Sequence, residues 1–140
     1  MIAAPKKISK KKAVKYYQEL LLPRLIEEKM LLLLRQNKIS KWFSGIGQEA
    51  ISVGVTSALK KNDYILPMHR NLGVFTTRNV PLYDLFCQLF GRSDGFTGGR
   101  DRSFHFGTTD YKIFGMISHL AATMPVADGI ALANKLKKRK

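Results

Sequence analysis

Apolar side chains recur at helical spacing between about residues 11 and 37, which predicts one long helix or two successive ones. The main stripe consists of Val14, Tyr17, Leu21, Leu25 and Leu32, and it is widened by Leu22, Ile26, Met30 and Leu33. A stripe this wide predicts deep burial, with a partner subunit as one candidate cover. Pro23 lacks a backbone donor and crowds the preceding turn, so we expect a kink or a break near Leu22.

Three further segments are predicted to be helical. Residues 48–60 have an unusually small side, which permits close helix packing and consists of Ala50, Gly54, Ser57 and Ala58. Residues 81–90 begin with proline and are stopped by Gly91, which is typical of a helix. Residues 125–137 form the last predicted helix, and we expect Val126, Ile130 and Ala133 to face inward.

Between these helices lie one short strand and one long loop. The apolar run at 64–66 follows a turn signal and predicts a buried parallel strand. It leads into His69 and Arg70, and ligands bind at the carboxyl ends of strands in open α/β sheets. Residues 91–107 contain five glycines and three arginines. A loop of this length is unusual in a small domain unless it binds something.

The composition is that of a globular chain. Its 140 residues are 45% apolar, which favours one compact domain. No run approaches the roughly 20 apolar residues of a membrane span, because Arg35 ends the most apolar stretch. The lysine-rich start is unlike a secretory signal, and the single cysteine, Cys87, fits core packing in a reducing environment. We therefore expect a soluble cytoplasmic protein that does not bind membranes.

The net charge of +14 is concentrated at the two ends of the chain. We expect residues 1–12 to form a basic flexible tail, and residues 135–140 carry five further cations. Solvated ends are favoured over binding arms, because the middle lacks the basic and aromatic alternation of a nucleic-acid platform. A basic module that binds nucleic acid or an acidic protein remains the alternative function.

Single residues do not define a reaction. Arg70 could grip a phosphate or pair with a surface carboxylate. His105 could be an acid–base group, a ligand or a packed loop residue, and His119 is equally ambiguous. The three histidines lack zinc-ligand spacing, and neither a nucleophile elbow nor a P-loop is present. These patterns indicate an α/β fragment with a His–Arg corner that suits an anion.

The order of the motifs resembles the alpha subunits of pyruvate and branched-chain 2-oxo acid dehydrogenases. WFSGIGQEA at 42–50 and DYILPMHRNLG at 63–73 are similar to the family's Gly-(Gln/Glu)-Glu helix and Tyr-Arg-x-x-Gly strand end. The Gly-Arg pairs at 91–92 and 99–100 and SFHFG at 103–107 are similar to its glycine-rich loop. ISHLAATMP at 117–125 and GIALA at 129–133 look like the loop and helix beside the thiamine ring.

This resemblance implies a fold, a reaction and partners. Residues 13–140 would be a partial thiamine-diphosphate-binding domain, the helix-rich N-terminal part of a doubly wound parallel α/β sheet. The reaction would be oxidative decarboxylation of a 2-oxo acid, with acyl transfer to a lipoyl group on an acyltransferase component. The subunit would belong to an oligomer and need a beta subunit or a fused beta domain. Thiamine diphosphate and Mg2+ would be the cofactors, with the metal ligands expected beyond residue 140.

The resemblance also implies roles for five residues. Arg70 would bind the terminal phosphate, and His69 stands where the family usually has a tyrosine. The backbone of Ser118 and Leu120 would contact the aminopyrimidine of thiamine diphosphate. The bulky Leu120 side chain would keep the cofactor in a bent conformation. His105 would be the catalytic residue, on the substrate side.

Two further expectations concern ions and activity. Apolar Ile117 and Ala122 stand where potassium-binding members of the family have polar residues, so a potassium site is not predicted. We expect no decarboxylase activity, and only weak thiamine-diphosphate binding, from these 140 residues alone.

Overall fold

The computed structural model describes residues 8–101 and 105–138. It contains five helices: α1 (Lys10–Arg35), α2 (Glu49–Ala58), α3 (Leu72–Thr77), α4 (Leu82–Leu89) and α5 (Thr123–Leu136). The four predicted helical segments are confirmed as α1, α2, α4 and α5, with ends that differ by a few residues. The six-residue helix α3 was not predicted.

Helix α1 is continuous across Pro23, so the alternative of two helices is wrong. Its N-terminus is capped by the Ser9 hydroxyl, which accepts a hydrogen bond from the Lys12 amide at 3.4 Å. The helix begins at Lys10, so the last three residues of the predicted tail 1–12 are helical. Residues 1–7 of that tail lie outside the described part of the chain.

The predicted main stripe of α1 is exposed, so this chain does not itself bury that face, and burial against a partner subunit stays a prediction. Leu25 is 53% exposed and Tyr17 is 63% exposed. The buried residues of α1 form a neighbouring stripe and are Pro23, Ile26, Glu27 and Met30. The physical reason is that α2 and α3 pack against α1 from this second side.

Helices α2 and α3 pack closely, but not through the predicted small side of α2. Ala50, Gly54 and Ala58 are exposed, whereas the buried face of α2 consists of Glu49, Ser52, Val53 and Thr56. The close approach occurs at Gly73 of α3, where a Cβ would overlap the Ser52 hydroxyl. The tight contact therefore depends on a small residue in α3 rather than in α2.

The predicted strand at 64–66 is reduced to a single bridge residue. Ile65 makes an isolated parallel bridge to Ile113, which also makes an antiparallel bridge to Thr108. No strand occurs in the described ranges, since each bridge involves one residue pair. Pro67, which lacks a backbone donor, follows immediately and stops the ladder from extending. The doubly wound sheet therefore remains a prediction.

The core is shared by α1, α3, α4 and the bridge region. Met30, Phe75 and Leu85 are fully buried within it, and Ile113 is 2% exposed. Helix α4 has Pro81 at its N-cap, as expected from the sequence. Cys87 of α4 is buried, which confirms its predicted packing role.

Helix α5 lies largely outside this core. It has no buried residue, so the prediction that Val126, Ile130 and Ala133 face inward is right only in part. Val126 and Ile130 are half-buried and Ala133 is exposed, because no large apolar surface of the described chain covers this helix. In the described ranges, no helix is both long enough and apolar enough to cross a membrane.

Candidate functional site

Arg70 and His69 form one corner with the loop that precedes α2. The Arg70 Nη1 atom donates a hydrogen bond to the carbonyl of Ser44 at 2.7 Å, and its Cζ lies 5.8 Å from the centroid of the Phe43 ring. His69 contacts the same Phe43 ring edge-on, with a centroid separation of 4.8 Å. Phe43 and Ser44 therefore fix both predicted phosphate-side residues.

A second pair of contacts extends this corner towards the segment before α5. The rings of His69 and His105 are nearly parallel, with centroids 6.5 Å apart. Nε2 of His105 lies 2.7 Å from Oγ of Ser118, which is hydrogen-bond distance. The structure thus brings four of the five predicted site residues together in one row. The fifth, Leu120, follows two residues later with a side chain that is 87% exposed.

The charge around His69 is positive. Burial lowers the pKa of His69 below its usual value, and the charges of Arg70, His105 and Lys41 lower it further. Lys41 also lies over the Phe43 ring, with Nζ 4.7 Å from the centroid. Cations gathered at one half-buried corner favour an anionic ligand, so the donor set fits the diphosphate of thiamine diphosphate.

The loop at 42–48 is held by two carboxylates that the sequence reasoning did not single out. Glu27 accepts hydrogen bonds from the Trp42 indole at 2.8 Å and from the Gly45 amide at 2.9 Å. Glu49 accepts from the Gly47 amide at 2.9 Å and from Nε of Arg24 at 2.6 Å. Both carboxylates are buried, so the loop is fixed against α1 and α2.

The Arg24–Glu49 pair shifts the ionisation of both partners. The hydrogen bond from Arg24 lowers the pKa of Glu49 below its usual value, against the opposing effect of burial. The same bond raises the pKa of Arg24. Glu49 therefore stays ionised, and its contacts persist, over a wider acidic range than an unpaired glutamate would allow.

The glycine-rich loop is organised by Gln88, a buried residue of α4. Its side-chain oxygen accepts hydrogen bonds from the amide and hydroxyl of Thr97, and its Nε2 donates to the Asp101 carbonyl at 2.8 Å. Near the end of the loop, Phe106 is buried, and its ring stacks on that of Phe96 with a centroid separation of 4.7 Å. Phe106 thereby anchors its neighbour His105, whereas residues 102–104 of the loop lie outside the described part.

A metal cluster or a large cavity in the described part of the chain would be an alternative site. Within residues 8–101 and 105–138, no group of three His, Cys, Asp or Glu side chains is arranged to hold a metal ion. A cavity of about 580 Å3 lies between the C-terminal ends of α1 and α4, lined in part by Lys38, Lys41 and Arg92. It includes none of the five predicted residues, so the candidate site is the surface row from Arg70 to Ser118.

Comparison with known proteins identifies the family. A family model described as "Dehydrogenase E1 component" matches residues 17–140. The 2-oxoisovalerate dehydrogenase subunit alpha of Bacillus subtilis is 37% identical over 134 residues, which are 94% of this chain and 41% of that protein. The mitochondrial pyruvate dehydrogenase E1 component subunit alpha of Solanum tuberosum is 36% identical over 92 residues, which are 66% of this chain and 24% of that protein.

A further relative is the mitochondrial 2-oxoisovalerate dehydrogenase subunit alpha 1 of Arabidopsis thaliana, which is 29% identical over 94% of this chain and 28% of that protein. The chain thus spans well under half the length of these three relatives. The family match nevertheless covers most of the chain and includes both ends of the row from Arg70 to Ser118. We conclude that the chain belongs to the dehydrogenase E1 component family.

Proposed function

We propose that the chain forms one side of a thiamine-diphosphate pocket in the alpha part of a 2-oxo acid dehydrogenase. The observation that carries this proposal is the row of Arg70, Phe43, His69, His105 and Ser118, which joins four separate chain segments. The whole protein would oxidatively decarboxylate a 2-oxo acid and pass the acyl group to a lipoyl group. The names of the relatives support this reaction class.

Arg70 and His69 would form the phosphate side of the pocket. The Arg70 guanidinium has five donors in a planar fork, and its bond to Ser44 orients that fork. His69 offers a ring nitrogen where the family usually has a tyrosine hydroxyl. Because an anion stabilises the protonated ring, binding should raise the lowered pKa of His69.

Ser118, Leu120 and His105 would form the side that faces the thiamine ring and the substrate. The backbone of Ser118 and Leu120 would contact the aminopyrimidine, and the exposed Leu120 side chain would hold the cofactor in a bent shape. The Ser118 hydroxyl fixes the ring of His105, which would hydrogen-bond the substrate carboxylate. When bound, thiamine diphosphate supplies the nucleophilic carbon and the electron sink.

The remaining parts of the proposal come from the family. A beta subunit or fused beta domain, a lipoyl-bearing acyltransferase and Mg2+ held beyond residue 140 would complete the enzyme. The Gly-Arg pair at 99–100 and the Ser-x-Leu at 118–120 favour a branched-chain 2-oxo acid. The Ile65–Ile113 bridge would be part of the doubly wound sheet. We retain a cytoplasmic location, although the potato and Arabidopsis relatives are named mitochondrial.

The proposal is tested by NMR on the labelled 140-residue chain titrated with thiamine diphosphate. We expect signals of His69, Arg70, His105 and Ser118 to move, and the His69 pKa to rise. Arg70→Met should abolish these changes, whereas Arg35→Met, an exposed arginine at the end of α1, should leave them intact. Changes confined to the lysine-rich ends, or equal binding by Arg70→Met, would contradict the proposal.

A further inference from the structure

Glu27 is a carboxyl group placed inside the apolar face of α1. It is 1% exposed, beside Ile26 and Met30. Its Oε2 accepts from the Trp42 indole at 2.8 Å and its Oε1 from the Gly45 amide at 2.9 Å. Burial of a carboxyl is costly, and an apolar residue of similar volume is often at least as stabilising. Stability alone is therefore a weak reason for this residue.

The two bonds bracket the residues that contact the candidate site. Phe43 and Ser44 lie between Trp42 and Gly45 in the chain. The Phe43 ring contacts both His69 and Arg70, and the Ser44 carbonyl accepts from Arg70 at 2.7 Å. A displacement of this short segment would therefore move every contact that it makes with the His–Arg corner.

The packing at Gly45 makes the connection stiff. A Cβ at this position would overlap the carbonyl oxygen of Arg70 and would lie 3.3 Å from Oε1 of Glu27. The Gly45 backbone is thus in close contact with both the Glu27 carboxyl and the Arg70 backbone. Because such close-packed contacts transmit displacements, the position of Glu27 sets the position of Arg70.

We propose that Glu27 is a positioning residue for the His69–Arg70 anion site and acts through Phe43 and Ser44. It touches neither the anion nor the substrate. The identity of the anion as a diphosphate rests on the proposed function. The expected effect of Glu27 on the His69 ring does not depend on that function. If Glu27 served only to attach α1 to the loop, its replacement would lower stability and leave the folded site unchanged.

The test uses Glu27→Gln in the full 140-residue chain, with inorganic pyrophosphate as the probe. Glutamine keeps the size of the side chain but retains only one acceptor oxygen, so one of the two bonds is lost. We expect the affinity measured by NMR titration to fall about tenfold, the loss typical of a broken bond to a charged group. The His69 ring signals should also move, because the Phe43 ring shifts.

Two controls keep the outcome interpretable. Glu28→Gln changes the adjacent, exposed glutamate and should leave affinity and the His69 signals unchanged. Trp42→Phe removes the indole donor and leaves the bond between Glu27 and Gly45. This variant serves as the test if Glu27→Gln does not fold. For Trp42→Phe we expect a smaller fall in affinity, about threefold, since the bond between Glu27 and Gly45, the residue packed against Arg70, is kept.

The proposal is overturned if Glu27→Gln or Trp42→Phe lowers the free energy of unfolding while pyrophosphate affinity and the His69 signals stay unchanged. If the wild-type chain does not bind pyrophosphate, the proposed phosphate site fails. The His69 signals then decide the positioning role alone: movement in Glu27→Gln, but not in Glu28→Gln, supports it.

Discussion

The segment that carries Arg70 and the segment that carries Ser118 are built in opposite ways. Around Arg70, the loop at 42–48 is tied down by buried Glu27 and Glu49, and Phe75 of α3 is fully buried. After Ser118, helix α5 has no buried residue, and its Leu136 is 75% exposed. The proposed phosphate side is therefore positioned by contacts within this chain, whereas the proposed ring side relies on the bond between Ser118 and His105.

The two segments therefore differ in how firmly the fold holds their site residues in place. Buried side chains in close-packed surroundings have one preferred arrangement, which fixes the groups attached to them. Exposed helices with few apolar contacts open at low free-energy cost. We therefore expect the His69–Arg70 corner to be rigid and the Ser118–Leu120 segment to be mobile in the isolated chain.

The largest expected effect is the stability difference between two apolar truncations. Phe75→Ala removes a fully buried ring from the core and should lower the free energy of unfolding by about 3–5 kcal/mol. Leu132→Ala removes a side chain of α5 that is 57% exposed and should change it by about 0.5 kcal/mol or less. Urea denaturation measures both. Equal losses would show that α5 is as well packed as the core.

A smaller effect is expected from two glycine substitutions. Gly45→Ala places a Cβ against the carbonyl oxygen of Arg70, so we expect a loss of about 1–3 kcal/mol and altered Arg70 signals. Gly129→Ala of α5 meets nothing within 4 Å and should stabilise the helix by about 0.5–1 kcal/mol. Thermal denaturation and NMR distinguish the two. A harmless Gly45→Ala would contradict the tight loop packing.

Acidification should lower the stability of the segment around Arg70, because Glu49 helps to hold the loop at 42–48. Its pKa is lowered in the folded chain, chiefly by the hydrogen bond from Arg24, so the unfolded chain binds this proton first as pH falls. The stabilisation is complete above about pH 4.5, the usual pKa of a glutamate, and is lost as the pH falls through the lowered pKa of Glu49. Glu49→Gln should reduce this pH dependence, measured by urea denaturation at several pH values. Glu28→Gln, an exposed control, should retain it.

The smallest expected effect concerns the two basic ends of the chain. Because we interpret these ends as solvated, deletion of residues 1–7 and 139–140 should change neither stability nor the His69 signals. Any retention on DNA should fall steeply with salt and disappear once residues 1–12 and 135–140 are removed. Strong retention by the trimmed chain would instead favour the alternative function, a nucleic-acid-binding module.

Periodicity was a good guide to where helices lie and a poor guide to which faces are covered. The apolar spacing predicted α1 correctly, but the covered face depends on α2 and α3, which no local pattern specifies. Helix α3 was missed because it has only six residues, five of them buried, and therefore shows no two-sided pattern. The strand at 64–66 was predicted from its apolar run, although a strand also needs partners that pair over several residues.

The site residues were predicted from family motifs, whereas the residues that support them were not. Glu27 and Gly45 are 18 positions apart, and Arg24 and Glu49 are 25 apart, so no sequence spacing joins them. One signal was present for Glu27. It lies on the same helical face as Pro23 and Met30, and a carboxylate within a buried stripe indicates a specific polar partner.

The central proposal is that this chain provides the phosphate side of a thiamine-diphosphate pocket and that the metal ligands lie beyond residue 140. Calorimetric titration of the 140-residue chain with thiamine diphosphate and with thiamine, each with and without Mg2+, tests it most directly. We predict weak binding of thiamine diphosphate that does not depend on Mg2+, is lost in Arg70→Met and exceeds that of thiamine. Tight Mg2+-dependent binding, or equal binding of thiamine and thiamine diphosphate, would contradict the account.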